Sequence, residues 1–140
     1  ARNRPQTVSI DSAFIAETED ILEHLNAPNF AVWDARSYPE YCGDKVLAKR
    51  GGHIPGAIHC EWTSLMDPLH NYRIREEARD ILSKIGLGPE KAIVTHCQSH
   101  HRSGFTYMLG RIMGFPNIRA YHGSWSEWGS RDDLPIETGQ

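Results

Sequence analysis

The residues best suited to chemistry lie between Ile93 and Gly104. There Ile-Val-Thr-His-Cys-Gln-Ser-His-His-Arg-Ser-Gly runs from an apolar strand pattern, through a short loop, into a helix start. Cys97 is the first loop residue and Arg102 closes the loop, with Gln98, Ser99, His100 and His101 between them. In parallel α/β sheets, ligands bind where strands end and helices begin. A tight loop at that point turns successive backbone N–H groups inward, at the positive end of the next helix, and makes a nest for an anion. A thiol in such a nest is favoured as thiolate, the nucleophilic form. The local composition agrees. From Lys91 through Ser126 there is no Asp or Glu, while Lys91, Arg102, Arg111 and Arg119 are cationic and four histidines lie among them.

Two covalent chemistries use a cysteine in this setting, and loop length separates them. Cysteine-dependent phosphatases and arsenate reductases place five residues between Cys and Arg, a ring wide enough for a tetrahedral phosphate. Here four residues intervene. The smaller ring suits a sulfur atom carried on Cys97, which the surrounding amides would stabilise. The expected reaction is ping-pong: the thiolate takes the outer sulfur of a donor such as thiosulfate, sulfite leaves, and a thiophilic acceptor removes the stored sulfur. The enzymatic alternative, a phosphatase or arsenate reductase, is disfavoured by this gap and by the lack of a general-acid aspartate near the loop. A non-enzymatic alternative is a persulfide carrier or interaction module serving one protein partner.

Neither metal nor organic cofactor is expected. Only His96-x₃-His100 has ligand-like spacing, and structural zinc sites show a second pair. Three cysteines without a C-x-x-C motif fit a reducing compartment, hence a cytoplasmic expectation. Cys60 reads as core and Cys42 as an incidental thiol after a short helix.

The elements that must position this loop follow from periodicity. A helix is predicted from Asp11 or Ser12, because Phe14, Ile15, Ile21, Leu22 and Leu25 fall at helical spacing; Pro28 stops it. Phe30–Ala35, Ala57–Trp62, Ala92–His96 and Ile118–Tyr121 read as strands. Gly51-Gly52-His53-Ile54-Pro55-Gly56 is dense in turn residues. Helices are predicted over Ile74–Ile85 and Ser103–Met113, with Trp125 and Trp128 at i, i+3 on a short third one. Alternation of strands and helices implies an α/β fold with a five-stranded, mainly parallel sheet and helices on both faces.

The 140 residues, 39% hydrophobic and 24% charged, suit one domain that buries its own core. Residues 1–10 look linker-like. The first residue is Ala rather than Met, so the chain is expected to be cut from, or attached to, something longer. A net charge of −3 gives no reason to expect nucleic acid. No apolar run approaches the roughly 20 residues that span a bilayer, so no membrane is expected.

Several of these elements together resemble the rhodanese family: Asp34-Ala35-Arg36, Gly51 to Ala57, the six-residue loop Cys97 to Arg102, and Gly123-Ser124-Trp125. The loop is especially similar to that of bacterial tandem-domain thiosulfate sulfurtransferases, in their catalytic C-terminal half. The resemblance implies a rhodanese-like fold and thiosulfate:cyanide-type sulfur transfer through a Cys97 persulfide. It implies that Arg102 binds sulfonate or sulfite oxygens, with Arg36 at the pocket mouth. Gln98, Ser99, His100 and His101 line the substrate, and Trp62 falls where related enzymes have a pocket tryptophan. Asp34 and Ser103 become supporting residues, Asp34 also being a candidate N-cap for the next helix. The implied partners are a small-molecule donor and acceptor, with a second rhodanese-like domain or an acceptor protein also possible partners. His100 and His101 depart from the loop patterns of mitochondrial thiosulfate and mercaptopyruvate enzymes.

Overall fold

A computed structural model describes residues 14–67, 69, 73–74, 77–99 and 101–139. The linker-like residues 1–10, the expected helix start at Asp11 or Ser12, and His100 lie outside them.

Two apolar runs make the centre of the main sheet. β2 (Phe30–Asp34) and β6 (Ala92–His96) pair in parallel over their whole lengths, from Phe30 opposite Ala92 to Asp34 opposite His96. β3 (Ile58–His59) flanks β2; β7 (Ile118–Tyr121) and then β1 (Ile15–Ala16) lie beyond β6. The order is β1-β7-β6-β2-β3, and every pairing is parallel.

Side chains alternate across this sheet, as a two-residue period requires. Ala31, Trp33 and Ile93 pack with Leu82 of α3 (Ala78–Lys84) and Leu109 of α4 (Arg102–Ile112). Val32, Val94 and Tyr121 pack on the other face. Their partners are Ile21 of α1 (Thr18–His24) and Trp125 and Trp128 of α5 (Ser124–Trp128). The fully buried Trp33 donates its indole N–H to Cys60 O at 2.9 Å, and Trp125 and Trp128 donate to Arg50 O and Pro135 O. Apolar rings are buried without orphaned polar atoms.

The fold class is the expected one, and three local expectations are corrected. Ile15 does not belong to the first helix. Ile15 and Ala16 pair with Ala120 and Tyr121 as an edge strand, and the helix begins only at Thr18. Free backbone groups at the β7 edge outcompete helical spacing over so short a stretch. Ile74 likewise leaves the expected helix: in β5 (Arg73–Ile74) it pairs antiparallel with β4 (Met66–Asp67), a small sheet that the sequence did not suggest. The strand expected over Ala57–Trp62 shrinks to two residues, because a 3₁₀ turn takes over from Trp62 to Leu65.

Chain direction decides where a ligand can sit. From β2 the chain moves to β3 on one side, and from β6 through α4 to β7 on the other. The connections leaving the carboxyl ends of β2 and β6 therefore part to opposite sides, the reversal of strand order at which α/β sheets form a ligand crevice. Asp34, His96 and Cys97 stand at its floor.

Candidate active site

Register alone places Asp34 beside His96, and the chain then delivers Cys97 one residue beyond. Both lie on the face that carries α5, and each is wholly buried. Asp34 is held by Arg36. Its Oδ1 accepts the Arg36 backbone N–H (3.0 Å) and Nε–H (2.9 Å), and its Oδ2 accepts from Nη2 at 2.7 Å. The same Nη2 donates to Gly52 O at 2.7 Å, and the guanidinium stacks over Trp125, 4.7 Å from the ring centre.

This gives the Gly-Gly-His-Ile-Pro-Gly turn its purpose. Gly52 sits at φ 118°, and a Cβ there would meet Glu137 O at 2.3 Å, so only glycine presents its carbonyl to Arg36. His53 continues the turn by exchanging backbone bonds with Glu137 and stacking on Tyr41.

Burial alone would raise the Asp34 pKa. The fields of His96 and Arg36, with the Arg36 donors, reverse that and hold it below its ordinary value. His96 is pushed below its own ordinary value by burial, Arg36 adding to the effect against Asp34, so it is neutral near pH 7. Arg36 is then the lasting counter-charge. His96 Nδ1–H points at Cys97 O, 3.0 Å away, while Nε2 has no hydrogen-bond partner and lies 3.8 Å from Asp34 Oδ2.

Cys97 is 1% exposed, at the bottom of its loop. The Ser103 hydroxyl donates to its sulfur at 3.4 Å. The start of α5 folds over the same residues. Cys97 N–H donates to Ser124 Oγ (3.3 Å), Trp125 N–H to Cys97 O (2.9 Å) and Ser126 N–H to Gln98 O (2.8 Å). Ser124 adopts φ 54°, the only positive φ outside glycine among the described residues, and donates its hydroxyl to Tyr121 O. That strained backbone seats the Cys97 carbonyl and amide.

Along the loop, Gln98 Nε2 donates to Leu47 O at 3.1 Å, tying the loop to the segment after α2 (Tyr38–Cys42). Ser99 and His101 are exposed. Among the described residues, the N–H groups of Gln98, Ser99 and His101 reach no acceptor. Trp62 packs edge-on against Phe105 of α4, 5.9 Å between ring centres, on the flank of the helix that the loop begins. His96 turns under the loop and His101 faces out of it, so these two do not converge as metal ligands would.

Three expectations change. Arg36 is 1% exposed and bound to Asp34, so it underlies the loop instead of standing at a pocket mouth. Asp34 caps no helix, because Ser37 starts α2. Arg102 does not present an empty fork: Nη1 and Nη2 donate to the two carboxylate oxygens of Glu40, at 2.7 and 3.0 Å.

Glu40 was not anticipated. The only trace in the sequence is Ser37-x-x-Glu40, the pattern of a helix start, in which the Glu40 carboxylate accepts from the Ser37 N–H and hydroxyl. Burial would raise its pKa, but the bonds from Arg102 and Ser37 bring it down to about 2.

Comparison with known proteins converges on one family. A model described as the rhodanese-like domain matches residues 17–131. A thiosulfate sulfurtransferase of Azotobacter vinelandii is 48% identical over 133 residues, which are 95% of this chain and 49% of that protein. A thiosulfate sulfurtransferase of Pseudomonas aeruginosa is 50% identical over 122 residues, 87% of this chain and 45% of that one. The sulfur carrier protein TtuD of Thermus thermophilus is 32% identical over 142 residues, 93% of this chain and 50% of its own. This chain thus spans about half the length of the curated relatives it matches. Among solved structures, EanB with ergothioneine covalently linked to a cysteine persulfide superposes at TM-score 0.83 and 30% identity, over 91% of this chain and 32% of that one.

Proposed function

The chain belongs to the rhodanese-like domain family, and from that premise we propose that it moves sulfane sulfur from a donor such as thiosulfate to a thiophilic acceptor through a persulfide on Cys97. The support is positional. Cys97 directly follows the central strand β6, at the floor of the crevice, with the Ser103 hydroxyl on its sulfur and loop N–H groups unspent beside it.

In the first half-reaction the Cys97 thiolate attacks the outer sulfur of thiosulfate. A bond forms between Sγ and that sulfur, the bond to the sulfonate sulfur breaks, and sulfite leaves with the electron pair. In the second, an acceptor such as cyanide attacks the terminal sulfur and restores the thiolate. The N–H groups of Gln98, Ser99 and His101 and the Ser103 hydroxyl are the donors for the negative terminal sulfur. Arg102, paired with Glu40, closes the loop at the rim, and Trp62 adds an aromatic flank. Asp34 and Arg36 hold the floor.

No metal or organic cofactor enters this scheme. Among the described residues no helix is long and apolar enough to cross a membrane, and three free thiols suit a reducing compartment such as the cytoplasm.

Intact mass after thiosulfate treatment tests the proposal. The protein should gain one sulfur, Cys97→Ser should gain none, and an unchanged parent mass would sink the idea. A second reading, a persulfide carrier for a protein acceptor, is favoured by the relative named a sulfur carrier. Steady-state formation of thiocyanate from cyanide supports the enzyme; sulfur loading without that turnover supports the carrier.

A further inference from the structure

The loop that receives the donor is closed by an arginine whose charge is already compensated. Glu40 binds it fork to fork, at 2.7 and 3.0 Å, from an element 62 residues earlier in the chain. Exposure differs sharply across the pair: 25% for the Arg102 side chain and 3% for that of Glu40. Solvent and solutes reach the guanidinium from one side, while the carboxylate fills the other.

Glu40 is also fixed independently of Arg102. Ser37 donates to it twice, at 2.8 and 3.3 Å, and α2 is anchored by Tyr41, whose hydroxyl donates to Ala57 O and whose ring stacks on His53. An anion that took over the fork would leave this carboxylate buried, ionised and short of its main partner, a costly state. Lys91 through Ser126 contains no acid of its own, so Glu40 delivers the carboxylate charge that sits on the loop arginine.

We propose that Glu40 sets the charge selectivity of the Cys97 loop, holding Arg102 neutralised so that the site disfavours a doubly charged sulfur donor relative to a singly charged one. Glu40 is a positioning and specificity-determining residue, touching neither sulfur nor donor. The proposal rests on the sulfur-transfer reading above and adds to it the class of donor. A dianion such as thiosulfate meets a loop with little net positive charge, whereas a monoanionic thiosulfonate loses less by that. Both donors react alike: Sγ bonds to the outer sulfur, and sulfite or a sulfinate leaves with the electron pair, so the comparison isolates charge.

The experiment measures kcat/KM for thiosulfate and for benzenethiosulfonate, with cyanide as acceptor, in the parent, in Glu40→Gln, and in the neutral pair Glu40→Gln/Arg102→Gln. Glu40→Gln keeps the shape and removes one negative charge. The ratio of thiosulfate to thiosulfonate efficiency should rise roughly tenfold through a fall in the KM for thiosulfate, and the rise should shrink as salt is added. The double variant restores the local net charge of the parent without stranding a buried ion, so its ratio should return to within about twofold of the parent's. It also serves if Glu40→Gln alone does not fold. An unchanged ratio in Glu40→Gln, with both donors slowed equally, overturns the proposal and leaves Glu40 as a strut. A double variant whose ratio drops well below the parent's also overturns it, since Arg102 would then clamp the donor directly. Failure of the parent to take sulfur from either donor is a different outcome: it removes the sulfur-transfer reading itself.

Discussion

Two arginine–carboxylate pairs flank Cys97, and they are built on opposite principles. Asp34 and Arg36 are two residues apart in sequence, both essentially dry, and their bonds are completed by Gly52 O and the Trp125 ring. Glu40 and Arg102 meet across 62 residues, with the carboxylate buried and the guanidinium a quarter exposed. The inner pair cannot exchange partners, because nothing from solvent reaches it. The outer pair has one wet side, so its charge is felt by whatever approaches the loop. Chemically similar pairs thus divide the labour by exposure: one holds the floor of the crevice, the other sets the field at its rim.

The largest expected effect breaks the inner pair. Asp34→Asn leaves Arg36 charged and buried without its counter-ion, and should cost about 3–5 kcal/mol of stability. Denaturant midpoints read this directly, and a loss under about 1 kcal/mol would show that Arg36 finds another partner. Arg102→Gln should cost less, about 1–3 kcal/mol, because Glu40 keeps its Ser37 donors and sits beside a wet position. Equal costs in the two variants would erase the difference between the inner and outer pairs.

Acid titration sharpens the outer pair. The folded pKa of Glu40, about 2, lies below its ordinary 4.5. Its stabilising contribution is therefore fully present above pH 4.5 and is lost as pH falls from there toward 2. Unfolding measured across that window should show a shallower decline in Glu40→Gln than in the parent. The smallest effect concerns His96, held neutral beneath the inner pair with a depressed pKa. Below its ordinary value of 6.5 the unfolded chain takes up a proton that the folded one resists, so stability should begin to fall there. His96→Asn should flatten that limb, and an unchanged pH profile would mean that His96 does not contribute to it.

Much of the site was legible because its signals are short-range. The apolar run Ala92–His96 ends where Cys97 begins, and the turn-rich Gly51–Gly56 shows in composition before its partner is known. Strand ends and helix starts depend on neighbours within a few residues, so periodicity finds β2, β6, β7 and α4. It fails at Ile15 and Ile74, where two-residue strands are made by their partners on β7 and β4 rather than by any pattern of their own. The resemblance puts Arg36 at the pocket mouth, whereas the structure buries it against Gly52 and Trp125, partners that lie far along the chain.

By itself the sequence determined the chemistry of the loop: a cysteine at a strand end, four residues from there to an arginine, and a stretch of 36 residues without an acid. That last feature describes only covalent neighbours. Charge acts through space, and the fold brings Asp34 beside His96 by strand register and Glu40 onto Arg102 by packing α2 against the loop. The electrostatics around Cys97 were therefore decided by the tertiary structure, from segments that the chain keeps far apart.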